Sequence, residues 1–69
     1  MNTLAQGLLD EQKRVRELII QYRDPILQGA GNMAALFMEK ALQEADKAII
    51  SGDLSLMLVA FKNLKEFDN

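Results

Sequence analysis

The sequence contains no cysteine, no histidine and no tryptophan, and only one proline. Without cysteine there is no disulfide, and without either cysteine or histidine the usual thiolate and imidazole metal sites are excluded. The same two absences remove the commonest general base and the thiol nucleophile. A strong charge of either sign is missing too. Ten acidic against eight basic residues leave a net charge of −2, whereas a dedicated nucleic-acid binder carries a basic excess. An acidic disordered tail would be far more acidic than this. No apolar run approaches the roughly 18 residues that mark a membrane span. The opening MNTLAQGLLDEQK also lacks the basic and apolar regions of a signal peptide. These absences lead us to expect a soluble cytoplasmic protein with no metal or cofactor.

What is present favours helix. Apolar residues make up 49% of the chain but aromatics only 6%, and the apolar share sits in Leu, Ile, Ala and Met, which suit helix better than sheet. The 69 residues form a single domain, residues 1–69. A chain this short buries only about 60% of its unfolded surface. Small scaffolds are usually held by disulfides, metals or partner subunits, and the composition leaves only the last. In the first helix, expected over 3–23 with Thr3 as N-cap, Leu4, Leu8, Val15, Leu18, Ile19 and Tyr22 recur at three- and four-residue spacings. The stripe is narrow and is interrupted at Glu11 and Gln12. Asp10–Arg14 and Lys13–Glu17, each four apart, flank it as a solvated face does.

The stretch YRDPILQGAGNMAAL decides the second helix. Pro25 pushes Asp24 out of the helical region, so Asp24 suits an N-cap with Pro25 at the first helical position. A rival start lies at Asn32, with QGAG as a bend. Helical phase favours the first: Leu27, Ala30 and Ala34 fall on the same side as Phe37, Met38, Ala41, Ala45 and Ala48. The expectation is one long helix from Pro25 to about Ile50. It ends at SGD, with Gly52 in the left-handed position and Asp53 capping a third helix to about Phe67. The third helix is expected to bury Leu54, Met57, Leu58, Phe61 and Leu64. The fold class is therefore all-α: two long antiparallel helices plus a short third one, a small helical bundle that associates into a homo-oligomer.

No residue set points to catalysis. Glu39, Asp46 and Glu66, interleaved with Lys40, Lys47 and Lys62, read as solvated helix surface, so an enzyme is not expected and no catalytic residue is assigned. The helix–SGD–helix unit has the outline of a helix-turn-helix, yet its second helix begins LSLMLVA and offers nothing to read base edges or hold phosphate. Nucleic acid is not an expected partner. The GAGN segment could hold an anion on backbone N–H groups, which makes Arg23, Gly29, Gly31 and Asn32 the candidate site for a small anionic ligand or nucleotide. It follows no strand and lacks the glycine-lysine pattern of a nucleotide loop, so close helix packing explains it better.

Two apolar sets remain for contact with other chains. One is the seam Leu4, Leu8, Val15, Leu18 and Tyr22, read as a subunit contact because its stripe is too narrow to cover much core. The other is Leu36, Ile50, Leu56 and Val59, which lie off the main faces of the second and third helices. With Met33, Met38 and Met57 as adaptable neighbours, they suit a protein partner. The words GAGNMAALFMEKAL and ISGDLSLMLVAFKNLKEF resemble small helical accessory proteins of tailed phages and their prophages, over roughly residues 22–67. That resemblance carries no catalytic motif. It implies a non-enzymatic cytoplasmic protein that binds a host or defence component and modulates or inhibits it.

Overall fold

A computed structural model of the protein describes residues 3–67. Three helices, α1 (Leu4–Tyr22), α2 (Asn32–Ser51) and α3 (Leu54–Lys65), account for most of them, with a 3₁₀ turn at Pro25–Leu27 and no strand among the described residues. All three helices pack against one another, and their inward faces share one core built on Leu8, Val15, Leu18, Met38, Leu42 and Leu64.

Each helix begins and ends for a local reason. The Thr3 hydroxyl accepts from Gln6 N at 3.0 Å and caps α1. Gly52, at φ 70°, closes α2 by donating to the Ala48 and Ile49 carbonyls. Asp53 Oδ1 then accepts from Ser55 N at 2.9 Å and Leu56 N at 3.2 Å, so one carboxylate satisfies two orphan donors at the start of α3. The far end of α3 is closed from another helix. Arg14 of α1 donates to the Leu64 carbonyl at 2.9 Å and the Phe67 carbonyl at 2.8 Å, while Glu11 holds the same guanidinium at 3.2 Å. A cation on the last carbonyls suits the negative end of a helix dipole.

The corner between α1 and α2 corrects the expectation of one helix from Pro25. Asp24 does cap Pro25, its Oδ1 accepting from Ile26 N at 2.9 Å. The helix that follows lasts only three residues, because Gln28 turns left-handed at φ 53° and Gly29 at φ 85°. Tight turns carry the chain onward, with Ala30 N donating to the Leu27 carbonyl and Asn32 N to the Gly29 carbonyl. The rival start at Asn32 is the real one. Helix α2 then has 20 residues against 19 in α1. A start at Pro25 would have left about two turns of helix beyond the end of α1 with nothing to bury against. The agreement in phase of Leu27 and Ala30 was a coincidence; both are exposed.

Gly31 is buried, and a Cβ there would run into the Tyr22 backbone, whose carbonyl carbon lies at 2.9 Å and Cα at 3.0 Å. The glycine lets α2 start directly against the end of α1. Facing positions then meet: Arg23 donates to Glu39 at 2.7 and 3.0 Å, and buried Gln12 donates from Nε2 to Asp46 Oδ1 at 2.7 Å. Gln12, expected as a break in the stripe, is instead part of the buried face. Glu39 and Asp46 are correspondingly tied to α1 rather than left to water alone.

The inward faces of α2 and α3 are also rotated from expectation. In α2 the buried residues are Ala35, Met38, Leu42, Ala45 and Ala48, while Phe37 is 61% exposed. In α3 they are Met57, Ala60 and Leu64, and Leu54 and Leu58 are turned out. Both helices carry apolar residues around most of their circumference, so helical period alone did not single out one face.

Two substitutions separate backbone collision from backbone strain. Gly31→Ala should cost at least about 2 kcal/mol, because the methyl meets main chain that cannot rotate away. Gly52→Ala, in open space at φ 70°, should cost only about 1 kcal/mol from its left-handed conformation. Urea denaturation of both variants gives the comparison. A second pair tests the buried amide. Asp46→Ala should cost about 1–3 kcal/mol by leaving Gln12 unpaired, whereas Gln12→Leu should be close to neutral, since it frees only a carboxylate that water can solvate.

Candidate functional site

The seam proposed for subunit contact lies inside this chain. Leu8 and Val15 are 0% exposed and Leu18 1%, with Leu4 and Tyr22 packed partly buried against the same core. The stripe is narrow because α1 lies in the cleft of a three-helix arrangement, where a thin strip of large residues meets small ones on α2. Those side chains are not available to a partner while the core is closed. Two of the three methionines expected on an adaptable surface, Met38 and Met57, are likewise core; Met33 is exposed.

The candidate anion site is occupied by its own structure. The Arg23 guanidinium is engaged with Glu39. Gly31 serves the close approach to Tyr22, and Asn32 N donates to the Gly29 carbonyl. Gly29 has a left-handed φ that its turn requires. The four residues form a corner that positions α2.

The second apolar set behaves as its sequence positions indicate. Leu36, Leu56 and Val59 are each about half exposed, and Ile50 is 85% exposed. They do not form one patch. Leu56 and Val59 rim a long groove between α2 and α3, whose floor is made small by Ala41, Ala48 and Ala60. Two hollows of ≈ 440 and ≈ 380 Å³ make up the groove and share Glu44, Ala60 and Asn63. Phe37 stands at one end, a residue sequence periodicity placed in the core. At the other, Ser51 returns its hydroxyl to the Ala48 carbonyl at 2.9 Å. Ion pairing along the groove is weak: Lys47 reaches Glu44 at 3.5 Å, both largely exposed, and such a pair contributes little.

Chemically the groove offers apolar side chains over a shallow, small-residue floor, with ammonium and carboxylate groups along its edge. Among the described residues there is no group of three or more acidic, histidine or cysteine side chains placed to hold a metal ion, and no helix long and apolar enough to cross a membrane.

Because Leu56 and Val59 add little to the core of a single chain, Leu56→Gln and Val59→Gln should each shift its unfolding free energy by no more than about 0.5 kcal/mol in dilute solution. A loss of 2 kcal/mol in urea titrations would mean that these residues support the fold itself.

Comparison with known proteins returns no match: no family model fits the chain, and no curated protein or solved structure is significantly similar to it.

Proposed function

We propose that this protein works by contact with other proteins and not by catalysis, as a small helical interaction module that forms a homo-oligomer. The observation that carries the proposal is the number of large apolar side chains left at the surface. Among the described residues twelve of them, from Leu9 to Val59, are at least 42% exposed. Single exposed apolar residues are ordinary. A groove lined by them over an alanine floor, beside further apolar residues at both turns, is a binding surface. The long helices are taken as antiparallel, supported by the pairing of Arg23 with Glu39 and of Gln12 with Asp46.

In its concrete form, the proposal is a cytoplasmic accessory protein of phage type that binds a host or defence protein and modulates or inhibits it. The residue-level resemblance noted above supports that form. Ile26 and Leu27 at the first turn, and Ile50 and Leu54 at the second, lie outside the groove and extend the apolar surface.

The test is capture from bacterial lysate by the immobilised chain, compared with two variants shown to be folded. One carries Leu56→Lys and Val59→Lys on the groove, the other Ile26→Lys and Ile50→Lys at the turns. The expected outcome is a protein retained by the natural sequence and lost with one of the two. Retention of nothing, together with a melting temperature that rises when nucleotides are added, would overturn the proposal in favour of an anionic-ligand site at the α1–α2 corner.

A further inference from the structure

We infer that the α1–α2 face, on the side of the bundle away from α3, seats a second copy of this chain. The two copies are related by a two-fold axis that runs along the helices, between α1 and α2. The inference rests on the interaction reading above and assigns its homo-oligomer a surface and a geometry.

Helical phase decides what this face carries. On α1, Leu9, Lys13, Arg16, Ile20 and Arg23 fall within an arc of about 80°, and all five are exposed. On α2, Leu36, Glu39, Gln43, Asp46 and Ile50 share an arc of the same width. The two arcs point the same way, because Arg23 bonds Glu39, and Gln12, beside the first arc, bonds Asp46. Arg14, the α1 residue that reaches the end of α3, lies well round the helix from that arc.

The result is two columns of opposite sign, side by side. The α1 arc holds Lys13, Arg16 and Arg23 and no acid; the α2 arc holds Glu39 and Asp46 and no base. Arg23 and Glu39 answer each other within the chain and remain more than a third exposed. Lys13 and Arg16 have no ion-pair partner among the described residues. Leu9, Ile20, Leu36 and Ile50 are each at least half exposed.

Charge selects both the occupant and the rotation. An axis along the helices lays α1 of each copy over α2 of the other at the same height. With α1 and α2 antiparallel, the two contacts that join them put Leu9 level with Ile50 and Lys13 level with Asp46, each within about one residue. The rotation therefore lays Lys13 and Arg16 of one copy on Asp46 and Gln43 of the other, and Leu9 on Ile50. The flanks agree. Asp10 and Glu17 stand farther round α1, on the side away from α2. Lys40 and Lys47 stand farther round α2, on the side that lines the α2–α3 groove. The same rotation brings those acids to those lysines. An axis across the helices would instead lay α1 on α1 and α2 on α2, like charge on like. An unrelated protein would need its own acidic and basic columns side by side at the spacing of two packed helices, whereas a second copy has them by construction. Exposed ion pairs are individually weak. Here they set the rotation, and the four apolar side chains of each copy supply the burial.

The test reverses the two columns separately in the full chain. One variant carries Lys13→Glu and Arg16→Glu. The other carries Gln43→Lys and Asp46→Asn, which keeps an oxygen for Gln12. In sedimentation at about 100 µM the natural chain should be dimeric and each variant monomeric with its helical circular dichroism kept. An equimolar mixture of the two variants should be dimeric again. A monomeric natural chain, a reversed variant that stays dimeric, or a mixture that stays monomeric overturns the inference. Should a variant lose its helical signal, a cysteine pair decides, since the chain has no thiol of its own. Under mild oxidation, chains with Leu9→Cys mixed with chains with Ile50→Cys should form covalent dimers at least about tenfold faster than either alone. Equal rates overturn the inference. If the chain is monomeric, or dimeric through another face, yet retains a lysate protein, this inference alone falls and the broader interaction reading stands.

Discussion

The structure depends on how closely α2 approaches its neighbours. At its start, Gly31 lies against the backbone of Tyr22, a distance no other residue tolerates without displacing main chain. Farther along, Ala35, Ala45 and Ala48 are buried and keep the helix thin on the side that meets α1 and α3. Close packing on small residues lets larger ones on the other helices reach across, and dispersion and apolar burial both gain from it. With no disulfide available, so small a chain has little other means of stabilising a single arrangement.

That closeness has a consequence at the surface. A core filled by alanines and a few leucines and methionines uses little of the chain's apolar content, and the remainder faces outward. Phe37, Leu56 and Val59 are exposed not because the helices are poorly formed but because the inward faces are already complete. The polar contacts described between the helices are placed where they act on geometry. Gln12 with Asp46 and Arg23 with Glu39 set α1 against α2, and Arg14 secures the last carbonyls of α3. The basic residues near the middle of α1 thus include one whose role is to complete another helix, which local charge balance along α1 gave no reason to expect.

The same economy bears on function. The groove is lined by Lys40, Glu44, Lys47 and Glu66 beside its apolar side chains. The proposed binding through apolar contact draws on the latter. It needs a rigid support, a rim of apolar side chains and a floor low enough to admit another helix, and α2 and α3 supply all three.

Features that depend on neighbouring residues in the chain were legible in the sequence. Thr3, Asp24, Asp53 and Gly52 mark helix ends because the groups they satisfy lie within a few residues of them. The helical class and the number of helices follow from those signals and from composition. The tertiary structure alone decided which side of each helix turns inward, that α2 begins at Asn32, and that the Leu8–Val15–Leu18 seam closes on this chain's own core. Each of these turns on competition between surfaces distant in sequence. Phe37 and Leu42 suit burial equally well until α1 occupies one side of α2, and Gly31 has no evident purpose until Tyr22 lies against it.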